Sequence, residues 1–286
     1  MATTIYCPVC TMRVIPSGTA SSTGRAGDLD LEKCRKGGFG GGFFAVWCSN
    51  DPSRSPDPAA TFREFPAIDV AGARLDVTRQ IATLIRLTSA HPHAIRLCRT
   101  APEIEAARAA GAIAALLHIE GCEAIGADLD ALYLYHAAGL RSLGPVWSCP
   151  NIFAHGVPFN HPASPDIGPG LTDAGKELLR ACNQMKILFD LSHLNEAGFW
   201  DVAKLSTKPL VATHSNAHAV TASTRNLTDR QLAAIAESRR PCRGEFRLPI
   251  PAPGRDQTQR YPAQRCFAPP RLSDRQTRGN GCRSWL

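Results

Sequence analysis

Several absences bound this chain before any motif is considered. No run of roughly 18 or more apolar residues occurs in the 286 residues, which excludes an obvious membrane-spanning helix. The first residues, MATTIYCPVCTMRVIPSG, lack a charged region followed by an unbroken apolar block, so they make a poor secretory leader. A cytoplasmic protein is the expectation. Histidine is missing from the first ninety residues, and lysine is missing from 239–286. That last stretch holds eleven Arg, seven Pro and three acids with no apolar periodicity, so it has no face to bury and reads as a disordered tail. Arg-rich tails can bind nucleic acid, but aromatics are few there and no recognition motif is visible. No nucleic-acid or membrane partner is expected.

What is present suits a single large domain. The hydrophobic content is 44%, ample for a sizeable core. The net charge of +7 belongs to the ends: 239–286 carries +8, residues 1–24 carry +1, and 25–238 is left at −2. The eleven cysteines are scattered, as in a protein with reduced thiols. Cys7-Pro-Val-Cys10 is one CxxC; without a second pair at a suitable distance it reads as coincidence or, less simply, a metal site.

Residues 1–24 show neither helical nor strand periodicity. A short helix over Asp28–Lys36 stops at Gly37-Gly38, and Gly40–Trp47 reads as a buried strand. Its glycines lack the Lys-Ser/Thr of a phosphate loop and point instead to close backbone packing. Asn50–Pro58 reads as a loop. Asp69–Leu87 has apolar residues at helical spacing; Ile95–Cys98 is a short strand, and Pro102–Ala110 a helix opened by Thr100. Ala112–Ile119 is an unbroken apolar run, as in a parallel strand covered on both faces. Helix Asp128–Ala138, strand Leu140–Val146, a long loop Trp147–Gly170 and helix Asp173–Gln184 follow. Strand Lys186–Leu191, helix Asn195–Leu205, strand Pro209–Thr213 and a helix from Thr228 to about Glu237 complete the alternation, which implies a parallel sheet.

Three polar residues stand at strand ends: Glu120, His193 and His214. Parallel α/β barrels assemble their chemistry at the carboxyl ends of the strands. Two imidazoles and a carboxylate can hold one zinc and leave a position for water, whose pKa the metal lowers to about 7. On position alone Glu120 is equally a helix N-terminal acid, and all three are equally unrelated strand-end residues. His155 and His161, in the long loop, read as solvated side chains.

The motifs Arg35-Lys-Gly-Gly-Phe-Gly-Gly, His118-Ile-Glu-Gly, Asp190-Leu-Ser-His and His214-Ser-Asn…Ser223-Thr-Arg-Asn, in that order, resemble the membrane dipeptidase (renal dipeptidase) family of zinc peptidases. The resemblance covers about Gly27 to Ser238. It implies an α/β fold, a (β/α)8 TIM barrel of the metal-dependent amidohydrolase-like kind, and zinc-dependent hydrolysis of dipeptides by metal-activated water. It also implies two zincs per chain. Glu120 matches the glutamate bridging them, His193 and His214 the histidines of the second zinc, and Arg225 the arginine binding the substrate carboxylate. Trp147 stands where mammalian members carry a histidine near the substrate.

Two departures accompany it. The family's early His-x-Asp motif, which completes the first zinc site, and its late Gly-Ser-Asp-Phe-Asp-Gly-like strand with a catalytic Asp have no counterpart here. The expectation is therefore three segments: an aberrant 1–24, a partial barrel over 25–238 and a disordered 239–286, the barrel being incomplete at both ends. Out-of-frame readings around an authentic centre would produce this pattern. One zinc site would then be incomplete and turnover impaired, with a catalytically inactive metal-binding fragment as the alternative. A homodimer is left open.

Overall fold

The computed structural model describes residues 31–48 and 68–238, together with the backbone of two strands, β1 (Thr3–Cys7) and β2 (Cys10–Val14). The expectations for the Asn50–Pro58 loop and for 239–286 lie outside the described residues.

Strand β5 (Ile113–Glu120) is buried at every position. One edge pairs in parallel with β3 (Gly41–Trp47), from Gly41 opposite Ala114 to Trp47 opposite Glu120. The other edge is shared: β4 (Ile95–Leu97) pairs with its first half and β6 (Leu140–Gly144) with its second, both parallel. Strand β7 (Leu188–Phe189) continues the sheet beside β6, and a parallel bridge joins Asp190 to Val211. The order is β2-β1-β3-β5-β6-β7, with β4 also against β5.

Helices alternate with the strands: α1 (Leu31–Lys36), α2 (Val70–Ala90), α3 (Ala101–Ala109), α4 (Asp130–Ala138), α5 (Asp173–Met185), α6 (Glu196–Leu205) and α7 (Asp229–Ser238). Their starts follow local chemistry. Asp69 caps α2 by accepting from Gly72 N, and Thr172 caps α5 through Gly175 N. Thr100 and Glu103 form a reciprocal capping box on α3. The Thr228–Gln231 pattern also pairs, with Thr228 N donating to Gln231 Oε1 at 2.8 Å.

Because side chains alternate along a strand, β5 has two different faces. Ile113, Ala115, Leu117 and Ile119 join the main core with Val77, Ile81 and Leu84 of α2 and Leu132 of α4. Ala114, Leu116, His118 and Glu120 share the opposite face. The glycine run at the start of β3 serves close packing, as its sequence suggests. A Cβ on Gly41 would lie 2.5 Å from Ala114 O.

Three expectations need correction. The first 24 residues show no strand pattern, yet β1 and β2 form an antiparallel hairpin, Thr3 opposite Val14 and Cys7 opposite Cys10. Tyr6 also pairs antiparallel with Ala45 on the edge of β3. Five-residue strands are too short for periodicity to reveal, and here the backbone pairing supplies the order. Strand β6 ends at Gly144, two residues early, because Pro145 has no amide to donate. The strands around His193 and His214 are shorter than expected, since Thr213 N bonds the Asp190 carboxylate at 2.9 Å instead of extending the ladder.

The core makes a direct prediction. Leu117 is fully buried, whereas Leu134 on α4 is 70% exposed. Leu117→Ala is expected to lower stability by about 2–5 kcal/mol, and Leu134→Ala by under about 0.5 kcal/mol. Urea unfolding of the two variants checks this; equal midpoints would contradict the packing described.

Candidate metal centre

Glu120 reaches the carboxyl end of β5 between Trp47 and Gly144, its register partners on either side. His193 stands in the turn after β7, and His214 just beyond the bridge at Val211. The three turns share one end of the sheet because β5, β6, β7 and the segment bridged at Val211 run parallel in that order, with β6 between the Glu120 and His193 strands. The side chains meet: Glu120 Oε1 is 2.8 Å from His193 Nε2 and 2.9 Å from His214 Nε2. The two Nε2 atoms are themselves 2.9 Å apart. Glu120 is 8% exposed and His193 4%. The helix N-terminal role for Glu120 is thereby set aside, since its carboxylate faces the histidines and α4 begins ten residues later.

His193 has a left-handed backbone, φ 67°, an unusual and strained state for a residue with a Cβ. It is held there by its carbonyl accepting from Val157 N at 2.9 Å. That bond is also the use of the long loop. Asn195, fully buried, caps α6 through Gly198 N and donates its amide to the carbonyls of Ile167 and Pro169. His155 contributes a backbone carbonyl to Asn195 N. Neither His155 nor His161 joins the metal-capable cluster among the described residues.

Burial pulls the His193 imidazole down to about 4, with the Arg225 guanidinium acting the same way against the raising contact of Glu120. Burial alone would raise the Glu120 carboxyl, but His193 and His214 outweigh it and hold the group well below the usual carboxylate range. Arg225 donates to His214 O at 3.4 Å, and burial lowers it to about 10 despite the opposing charges of Glu120 and Asp190. Trp147 lies 5.8 Å from the His193 ring, 5.4 Å from Trp47 and 5.7 Å from Phe159, measured between ring centroids.

Several participants escaped the sequence reading. Asp190, 1% exposed, accepts Ser192 N and Thr213 N on Oδ1, and the Thr213 hydroxyl on Oδ2. Ser148 Oγ is 3.3 Å from His193 Nδ1. His118, on the same face as Glu120, bonds Ser142 Oγ at 2.9 Å. Its Nε2 lies 3.9 Å from Asp190 Oδ2 with no hydrogen-bond partner among the described residues. Period-two alternation from Glu120 would have flagged His118. Nothing local marks Ser148 or Phe159.

The donor set fits a cation. Neutral imidazoles could each give an Nε2 proton to Glu120, but the remaining edge of the triangle would then set Nε2 against Nε2 with no proton between. One divalent ion satisfies all three edges, and zinc takes nitrogen and oxygen donors at about 2.0–2.2 Å.

Comparison with known proteins decides the lineage. The family model described as membrane dipeptidase (peptidase family M19) matches residues 7–239. The chain belongs to the membrane dipeptidase family. A metallopeptidase of family M19, "dipeptidase AC", has a solved structure with 54% identity and a TM-score of 0.68, covering 74% of this chain and 60% of that one. A metallopeptidase from Rhodobacter sphaeroides, liganded with a phosphinate mimic of L-Ala-D-Ala, shares 50% identity at a TM-score of 0.71, covering 77% and 65%. A protein of Acinetobacter calcoaceticus, described as an uncharacterized protein in the PQQ-III 3' region, is 37% identical over 221 residues, 74% of this chain and 68% of its own length. The chain thus spans roughly two thirds or less of these relatives. The family's fold is the amidohydrolase-like TIM barrel, and the described parallel sheet with alternating helices is a part of it.

Glu123 yields a prediction about this membrane dipeptidase relative. It is buried three residues beyond Glu120, and burial raises its carboxyl to about 7, only partly offset by its backbone contact and by Asn151. A carboxyl raised in the folded state binds more protons there than in the unfolded chain. Its share of stability is present below about 4.5 and lost as pH rises through 7. Glu123→Gln is therefore expected to stabilise the protein at pH 8 by up to roughly 3 kcal/mol and to change little at pH 4. Thermal unfolding at both pH values is the check, and an equal effect at each would refute the assignment.

Proposed function

We propose that this chain is a metallodipeptidase by descent, with Glu120, His193 and His214 holding a zinc ion. The observation that carries the reading is the convergence of one carboxylate oxygen and two imidazole nitrogens within 2.9 Å of one another, at the carboxyl end of one parallel sheet. When bound, the ion supplies Lewis-acid polarisation of a carbonyl and acidification of water.

The chain's own groups do the rest. Arg225, half-buried with its guanidinium on the His214 carbonyl, offers a fork to the free carboxylate of a dipeptide. Trp147, with Trp47 and Phe159, forms an apolar wall on the His193 side that excludes water from the reacting bond. The dipeptide mimic held by the Rhodobacter sphaeroides relative supports this substrate class. A second zinc sharing Glu120 belongs to the family pattern, but the early His-x-Asp pair that would complete it has no counterpart before His91. Turnover by this chain is accordingly proposed to be weak. The second reading, an inactive metal-binding fragment, rests on the same departure.

Zinc content measured together with dipeptide hydrolysis separates the two. Near two zincs per chain with turnover that a chelator abolishes supports the enzyme. One zinc without turnover identifies the fragment. Under either reading Glu120→Gln should lose bound zinc, and zinc retained at wild-type affinity in that variant would sink the assignment. If hydrolysis is measurable, Arg225→Ala is expected to raise KM by about 10–150-fold, the worth of hydrogen bonds to a charged group, with a smaller change in kcat.

A further inference from the structure

The Asp190 carboxylate is almost fully buried, and both of its oxygens bond residues of the histidine turns. Oδ1 accepts Ser192 N at 3.0 Å and Thr213 N at 2.9 Å, so one oxygen ties together the residues immediately before His193 and His214. Ser192 adds a cross-link, its Oγ accepting His214 N at 3.1 Å. Oδ2 receives the Thr213 hydroxyl. That hydroxyl oxygen is in turn 2.8 Å from His214 Nδ1, whereas Asp190 Oδ2 is 3.7 Å from the same nitrogen, too far for a direct bond. His118 Nε2 is 3.9 Å from Oδ2 and does not compete for it.

Proton counting fixes the direction of this chain of bonds. A carboxylate has no proton to give, so the single hydroxyl proton of Thr213 points to Asp190. The Thr213 oxygen is then an acceptor, and the proton it accepts is carried by His214 Nδ1. The lone pair of His214 is left on Nε2, the atom that faces Glu120 and His193. Among the described residues His193 Nδ1 has only Ser148 Oγ, at 3.3 Å and free to rotate, so its tautomer is not dictated in the same way.

We propose that Asp190, acting through the Thr213 hydroxyl, is the positioning residue that sets the tautomer and ring orientation of His214. The same carboxylate holds the two histidine turns at a fixed separation. This rests on the proposed zinc site, and the experiment is arranged so that the two can fail separately.

Zinc affinity of the full chain, measured by competition with a chelator, is the main readout. Thr213→Ser keeps the hydroxyl and is expected to bind within about twofold of wild type. Thr213→Val keeps the shape, removes the hydroxyl and is expected to weaken zinc binding about 10–100-fold, the usual effect of losing such an outer partner. Thr213→Ala serves if valine is not accommodated. Proton NMR of the zinc-loaded protein gives a second readout that a merely structural role would not move. The His214 Nδ1–H resonance should be protected from exchange in wild type and Thr213→Ser, and lost in Thr213→Val. His214→Ala is the control for the site itself: unchanged zinc affinity there overturns the metal reading. Weakened binding in His214→Ala with wild-type affinity and a retained resonance in Thr213→Val overturns the relay alone.

Discussion

Strand β5 imposes the constraint on which the rest of the structure depends. All eight of its residues are buried, so every backbone amide and carbonyl along it needs a partner within the protein. Both edges must therefore be paired for their whole length. That is why β3 runs beside it throughout, while β4 and β6 divide the opposite edge between them. Burial of both faces further requires covering layers, met on one side by α2 and α4.

From that constraint the position of the site follows. A parallel sheet aligns the carboxyl ends of its strands, so Glu120, His193 and His214 are delivered to one end from β5, β7 and the segment bridged to it, with β6 between the first two. The strain at His193, with its positive φ, is confined to the turn that aims its ring. Around the three donors the protein places mostly neutral hydrogen-bonding groups, Ser148 and Thr213, with Asp190 as the buried charge behind them. Arg225 bonds the His214 carbonyl, and the Trp147 ring packs beside His193.

The order of strands and helices was legible because a buried parallel strand and an amphipathic helix have different periods. Ala112–Ile119 and Asp69–Leu87 are examples, and the caps at Thr100 and Thr172 marked helix starts by chemistry alone. The N-terminal hairpin was not legible, because five-residue strands carry too short a pattern. The ends of β6 and of the strand before His214 were shifted by a proline and by a side-chain carboxylate that took over a ladder bond.

By itself, then, the sequence determined the alternating α/β architecture and the family, and it singled out Glu120, His193 and His214. These depend on composition, period and motif order, all written along the chain. Only the tertiary structure decided that Glu120 faces two imidazoles and does not cap a helix, that Asp190 and Thr213 stand behind His214, and that Trp47 and Phe159 join Trp147. Those relations connect residues up to 100 positions apart in the chain, between Trp47 and Trp147. Contacts of that range are set by strand register and loop packing, which leave no local signal in the amino-acid pattern.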